Sequence, residues 1–232
     1  MTPMSPTELE GVPLAHKDSS VKSVEDLLAS LSEHNRDRRT LWYRGHQAGD
    51  WRLAPALLRK KKVEYEFWLW KQFEARAIPH IERAIPSEWW EWMFLMQHYG
   101  VPTRLLDWTE NPLVALHFAV AKDSATDNSD AVLWLLDPVK FNDFNPRVSP
   151  AAGNLPDDVP LVGLDEGTGG SRPRPADYLA YSPQDLREPR SKLPRDEQPL
   201  AIRARHNSAR IRAQQGVFTI FGGRDRDLRE YA

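Results

Sequence analysis

Four charged or titratable side chains sit inside apolar runs, where their presence needs a reason. Arg44 and His46 belong to Leu41-Trp42-Tyr43-Arg44-Gly45-His46, and Arg104 and Asp107 to Thr103-Arg104-Leu105-Leu106-Asp107-Trp108-Thr109. Burying an unpaired charge is costly, so each needs a partner or a task. A guanidinium can grip a carboxylate or a phosphate through two parallel N–H bonds. Two arginines and one carboxylate therefore form either a structural ion pair or an anion-binding site. Asp107 reads as a structural partner for an arginine, Arg44 or Arg104. For Arg44 the structural and ligand-holding readings both stand.

Several other chemistries are excluded by what is missing. The chain has no cysteine, so a thiolate nucleophile, a thiolate zinc site and a disulfide scaffold are out. There is no Walker loop, no dinucleotide-binding glycine run, no His-Glu-x-x-His and no Gly-x-Ser-x-Gly elbow. The histidines stand at no recognised ligand spacing, so no metal is expected. His117, within an apolar helix, reads as a core histidine. His98 lies at a helix C-terminus, where a cation is electrostatically favoured and a catalytic role is equally open.

The elements that must position these residues can be placed from pattern. Ser23 caps a helix over roughly 23–35, with Val24, Leu27, Leu28 and Leu31 at helical spacing. Residues 41–46 read as a strand, so Trp42, Arg44 and His46 share one face and Leu41 and Tyr43 the other. Gly45 marks either a bulge or the close approach of another group to the backbone. Arg59-Lys60-Lys61-Lys62 is a basic run, read as a solvated face with phosphate binding as the alternative. A helix over roughly 64–78 ends at Pro79. Ser87 starts another, apolar nearly all round, that stops at Gly100 because glycine enters the left-handed region cheaply; Pro102 forbids its continuation. Residues 103–109 then run extended, with Thr103, Leu105, Asp107 and Thr109 on one face and Arg104 on the other. Asn111 and Pro112 open a buried helix over 113–121. Residues 131–136, 200–204 and 216–221 read as strands, and 208–214 as a helical turn or a strand approach.

At 232 residues and a formal net charge of -2, the chain fits one domain without bulk affinity for polyanions. Residues 1–22 read as a flexible leader, 23–222 as the domain and 223–232 as a tail. The stretch 142–199 holds ten of the nineteen prolines and five of the twelve glycines, which marks it as a long loop-rich insertion. No apolar run reaches the roughly 20 residues that span a bilayer, and no signal peptide is visible. A reducing cytoplasm suits the composition. The fold class expected is α+β, with a mixed, mainly antiparallel central sheet flanked by helices.

Three segments carry a resemblance: Trp42-Tyr43-Arg44-Gly45-His46; His98-Tyr99-Gly100-Val101-Pro102-Thr103-Arg104-Leu105-Leu106-Asp107-Trp108-Thr109 with Asn111-Pro112; and Ala213-Gln214-Gln215-Gly216-Val217-Phe218-Thr219. Together they resemble the FRG domain, a bacterial and phage family named for an aromatic-Arg-Gly motif, with Tyr43 in the aromatic position. The resemblance implies a fold distantly similar to ADP-ribosyltransferases and a setting among toxin or phage-defence genes. It implies NAD as co-substrate and a macromolecular target, protein or nucleic acid. Arg44 would hold the ribose–phosphate part of NAD, Tyr43 or Tyr99 would stack on its ring, and His46, Arg104 and Thr109 would complete the binding site. Such transferases carry a glutamate on a late strand, where this chain has Gln214-Gln215-Gly216. Three readings follow: Gln215 substitutes in part, Asp107 or Glu110 supplies the acid, or the domain does not catalyse this reaction. In the last case the chain is a recognition module in phage defence, counter-defence or toxin–antitoxin function, binding nucleic acid or protein through Arg59 to Lys62 and Arg203, Arg205, Arg210 and Arg212.

Overall fold

The computed structural model describes residues 14–15, 21–35, 40–81, 85–86, 89–121, 129–143, 161–162, 181, 198–204 and 215–231. Its centre is a seven-stranded sheet in the order β1-β4-β2-β3-β7-β6-β5. The strands are β1 (Leu14–Ala15), β2 (Trp42–His46), β3 (Leu105–Thr109), β4 (Val132–Leu136), β5 (Leu161–Val162), β6 (Leu200–Ala204) and β7 (Gly216–Ile220). β5 runs parallel to β6 and every other neighbouring pair is antiparallel. Helices α1 (Val24–His34), α2 (Ala56–Arg59), α3 (Glu66–Ala77), α4 (Trp89–His98), α5 (Pro112–Val120) and α6 (Pro138–Asp143) surround it. The α+β class and the mixed, mainly antiparallel sheet are as the sequence implies.

Local chemistry explains the helix ends. The Ser23 hydroxyl accepts from the Asp26 amide at 3.0 Å, and the Asn111 side chain accepts from the Leu113 amide at 3.0 Å. At the end of α4, Gly100 takes φ +74°. The Gly100 amide then donates to the Gln97 carbonyl and the Val101 amide to that of Met96, a left-handed cap that closes two orphan carbonyls. Ser87, expected as the cap of α4, lies outside the described residues.

Register assigns the two faces of the sheet. Trp42, Leu106, Trp108, Trp134, Leu136 and Val217 form one core cluster, roofed by Leu53, Leu58, Val63, Phe221 and Leu228. On the other face Tyr43, Leu133 and Leu135 meet α1 and α5, while Leu105, Phe218, Ile220 and Ile202 meet α4. In residues 223–231, expected as a tail, Leu228 joins this core and Tyr231 packs against it. Leu228 is fully buried and its amide donates to the Leu53 carbonyl at 2.9 Å. The expected leader also contributes, since Leu14 and Ala15 pair with Leu136 and Leu135.

Two expectations for α5 need correction. It is not a buried helix: Leu113, Phe118 and Val120 are 48%, 46% and 58% exposed. His117 is exposed too, rather than a core histidine. Burial falls on Ala115 and Ala119, and the reason is Gly45. A Cβ on Gly45 would lie 1.9 Å from the Ala115 carbonyl oxygen and 2.6 Å from the Ala119 nitrogen. The α5 backbone thus rests directly on β2, and the close-approach reading of Gly45 holds while the bulge reading does not.

Gly45→Ala must push α5 off the strand, so it should cost about 3 kcal/mol and lower the Tm by roughly 10 °C. Gly100 has open space around its Cβ position but a positive φ, so Gly100→Ala should cost only about 1 kcal/mol. Thermal unfolding of the two variants tests the contrast; equal losses would refute the close-packing account.

Candidate functional site

The sheet is nearly divided in the middle. β2 pairs with β4 through five residues and β3 with β7 through five, but β2 meets β3 through Tyr43↔Thr109 alone. Continuing the register would oppose Gly45 to Asp107, yet no pair forms there. Arg44 spans this opening, and its Nη1 donates to the Asp107 carbonyl at 2.5 Å. Its Nε donates to His46 Nε2 at 2.9 Å, which confirms that Arg44 and His46 share a face. Among the described residues Arg44 makes no ion pair, and its remaining N–H groups have no partner.

His46 is 3% exposed and both its nitrogens face donors: Arg44 Nε at Nε2 and Trp134 Nε1 at Nδ1, 3.3 Å away. A neutral imidazole has one in-plane lone pair, and an imidazolium has none to offer either neighbour. Burial first, then the charges of Arg44, Arg59 and Arg229, push the His46 pKa down to about 3, with Asp227 opposing. Asp227 itself is occupied by Arg229, which donates to both carboxylate oxygens at 2.8 and 2.7 Å. Burial also lowers Arg44, against the pull of Asp107 and with a further push from Arg59.

Only the Asp107 carbonyl meets Arg44; its side chain lies on the face of β3 opposite Leu106 and Trp108, toward α4. Its side chain is exposed, and Oδ2 accepts from the Gln97 amide nitrogen at 2.7 Å. Gln97 is held in that orientation because its carbonyl oxygen accepts from the Thr103 hydroxyl at 2.5 Å. The expectation that Asp107 pairs with an arginine is therefore corrected: Arg44 takes its carbonyl, and Arg104 is elsewhere.

Arg104 is fully buried. Its Nε donates to Glu66 Oε2 at 2.7 Å, Nη1 to the Phe221 carbonyl at 2.9 Å and Nη2 to the Tyr181 carbonyl at 2.6 Å. It joins α3, the end of β7 and residue 181, and does not reach the opening. Burial pushes the Glu66 carboxyl up, with Arg104 opposing. Among the described residues Glu66 Oε1 and Trp70 Nε1 are buried without partners beside a cavity of about 10 Å³ also lined by Thr103 and Met93, room for one water molecule.

The other candidates disperse. Tyr43 is 6% exposed beneath α1 and α5, so it cannot stack on a ligand. Tyr99 is 68% exposed at the end of α4, packed at 6.0 Å against Phe73. Thr109 is buried, and its hydroxyl accepts from the Asn111 amide, fixing the turn from β3 into α5. Gln215 is exposed with φ +47°, and its carbonyl accepts from Glu110, on the far side of the Tyr43↔Thr109 pair from Arg44 and Asp107. Glu110 is engaged by Arg203 at 2.6 Å. Arg205, Arg210 and Arg212 lie outside the described residues. Arg59, Lys60, Lys61 and Lys62 are all exposed. Sequence reasoning missed Gln97, Thr103 and Trp51, whose ring sits 5.8 Å from that of His46; the polar pair Gln97 and Thr103 flanking Gly100 was the available signal.

Residues 39–128 match the model of the FRG domain. The match includes both Arg44 and Asp107, whose guanidinium and carbonyl meet at the opening. No curated protein and no solved structure matches the chain. No helix among the described residues is long and apolar enough to cross a membrane.

The depressed His46 pKa has a definite sign. Unfolded, His46 binds a proton near pH 6.5; folded, only near pH 3. Its contribution to stability is present above pH 6.5 and is lost as the pH falls toward 3, at about 1.4 kcal/mol per pH unit. His46→Gln should remove that slope from the pH dependence of denaturant midpoints between pH 6 and 4. An unchanged slope would show that His46 does not carry it.

Proposed function

We propose that this protein is an NAD-dependent ADP-ribosyltransferase-like enzyme of a bacterial or phage conflict system, acting on a macromolecular target in the cytoplasm. The observation that carries the reading is the bond from Arg44 to the Asp107 carbonyl at the opening between β2 and β3, with an exposed carboxylate on that same residue. Among the described residues Arg44 is a guanidinium with free donors and no ion pair, and Asp107 is an exposed carboxylate with no arginine on it. In this reading Arg44 holds the phosphate–ribose part of NAD by charge-assisted bonds. The bond from nicotinamide to ribose breaks and nicotinamide leaves with the bonding pair. The Asp107 carboxylate stabilises the positive charge that develops on the ribose. A nucleophile of the target forms the new bond to that carbon, and its proton passes to Asp107. Gln97 holds the carboxylate in place, supported by Thr103. With Gln215 and Glu110 placed away from Arg44, Asp107 takes the role expected of a late-strand glutamate.

A second reading has its own support. Arg59 to Lys62 is an exposed basic run, which favours a non-catalytic module that binds nucleic acid. Nicotinamide release from NAD, with and without a lysate as the source of targets, separates the two. Under the transferase reading Asp107→Asn should lower the rate about 100-fold or more, and Arg44→Ala likewise, with circular dichroism unchanged. Absence of nicotinamide release in every condition, together with nucleic-acid binding that weakens steeply with salt, would replace it by the module.

A further inference from the structure

One segment brings two more groups beside Arg44. After β2 the chain turns at Ala48, runs through Trp51 and Leu53 and enters α2. Leu53 and Leu58 anchor it in the core that holds Trp42 and Trp134, the face of the sheet from which Arg44 and His46 project. That anchoring leaves Trp51, 45% exposed, with its ring tilted against His46 at 5.8 Å. It leaves Arg59, next to buried Leu58, exposed at the end of α2. His46 in turn fixes the Arg44 guanidinium through Nε. Arg229 is spoken for by Asp227, but neither Arg44 nor Arg59 makes an ion pair among the described residues. Arg59 follows Leu58, which packs in the same cluster as Trp42 and Trp134 on the Arg44 side of the sheet, and its charge acts on both Arg44 and His46. Two like charges brought together repel, and the neutral His46 beside them relieves nothing; a multiply charged anion would. The exposed indole alongside offers a flat apolar surface of the kind on which nucleobases stack.

We infer that Arg44, Arg59 and Trp51 form a binding site for a nucleoside diphosphate group, the two guanidiniums on the pyrophosphate and the Trp51 indole under the base. This rests on the reading of Arg44 as a ligand-holding residue. It adds Arg59 and Trp51, which lie on the covering segment rather than in the aromatic-Arg-Gly strand. It also places the stacking surface on Trp51, since Tyr43 is buried. The ligand class is narrower than a generic anion: a free phosphate leaves the indole uncovered, and a nucleoside leaves both cations unpaired.

Isothermal titration with ADP, AMP, adenosine and inorganic pyrophosphate tests the site. ADP should bind most tightly, with adenosine weakest. Arg59→Ala and Trp51→Ala should each weaken ADP about tenfold, and Trp51→Phe should stay within about threefold of the unaltered protein. Both positions are exposed, so the variants should keep the fold, checked by thermal unfolding. Failure of ADP to bind, or binding indifferent to both alanine variants, would overturn the inference. So would tighter binding of a short single-stranded oligonucleotide that is lost on changing Lys60 to Lys62 to Ala. ADP binding with the expected losses but without nicotinamide release from NAD would remove the transferase reading and leave this site intact. Nicotinamide release with ADP binding untouched by Arg59→Ala and Trp51→Ala would do the reverse.

Discussion

A guanidinium sealed from water has to find its acceptors inside the protein, and Arg104 finds them on three separate stretches of chain. Glu66 comes from α3, a carbonyl from Phe221 beyond β7, and another from Tyr181 in the long proline-rich region. Breaking such a buried pair from one side typically costs 3–5 kcal/mol, because a charge is left without compensation. The neighbouring backbone inherits the constraint. The Phe221 amide donates to the Arg104 carbonyl at 3.1 Å, and the Leu57 amide to that of Thr103. The entry to β3 is therefore tied from both faces of the sheet. With the start of β3 fixed, the position of Asp107 three residues later follows from strand geometry alone.

The opening between β2 and β3 depends on a second constraint, the seating of α5 on Gly45. A helix whose backbone touches a strand has no side-chain layer through which to shift, so β2 and α5 move as one body. The turn from Thr109 through Asn111 joins β3 to the same helix. The two half-sheets are thus linked by one ladder pair, one short turn and the Arg44 side chain. Arg44 has a mechanical part as well as a chemical one, since its bond to the Asp107 carbonyl replaces the ladder bonds that the strands do not make.

How far the sequence could be read depended on the range of the interaction. Ser23, Asn111-Pro112 and Gly100 act within four residues, and their roles as caps and stop were visible from local chemistry. The alternation that sets Asp107 opposite to Leu106 and Trp108 follows from the pleat, and it also held. The partner of Arg104 did not, because Glu66 lies 38 residues away on an aromatic helix and nothing local announces it. The burial of Leu228 was hidden in a charged tail for the same reason. α5 misled in another way. Its residues are apolar nearly all round, so periodicity could not say which side faces the sheet, and the two alanines that touch Gly45 were the better signal. The partition of the candidate site was least legible of all: Tyr43, Arg104 and Asp107 share apolar surroundings in the sequence and have three different fates in space.

Histidine is the residue most often used to make a site respond to acidity. In this site it is disqualified from doing so. Flanked by two N–H donors and three arginines, His46 stays uncharged across the whole range in which cells live. His46 then adds no charge to the electrostatic potential at the opening over that range. A ligand would meet the same uncharged imidazole in a neutral compartment and in an acidified one. Acid sensitivity between pH 5 and 8 would not originate at His46.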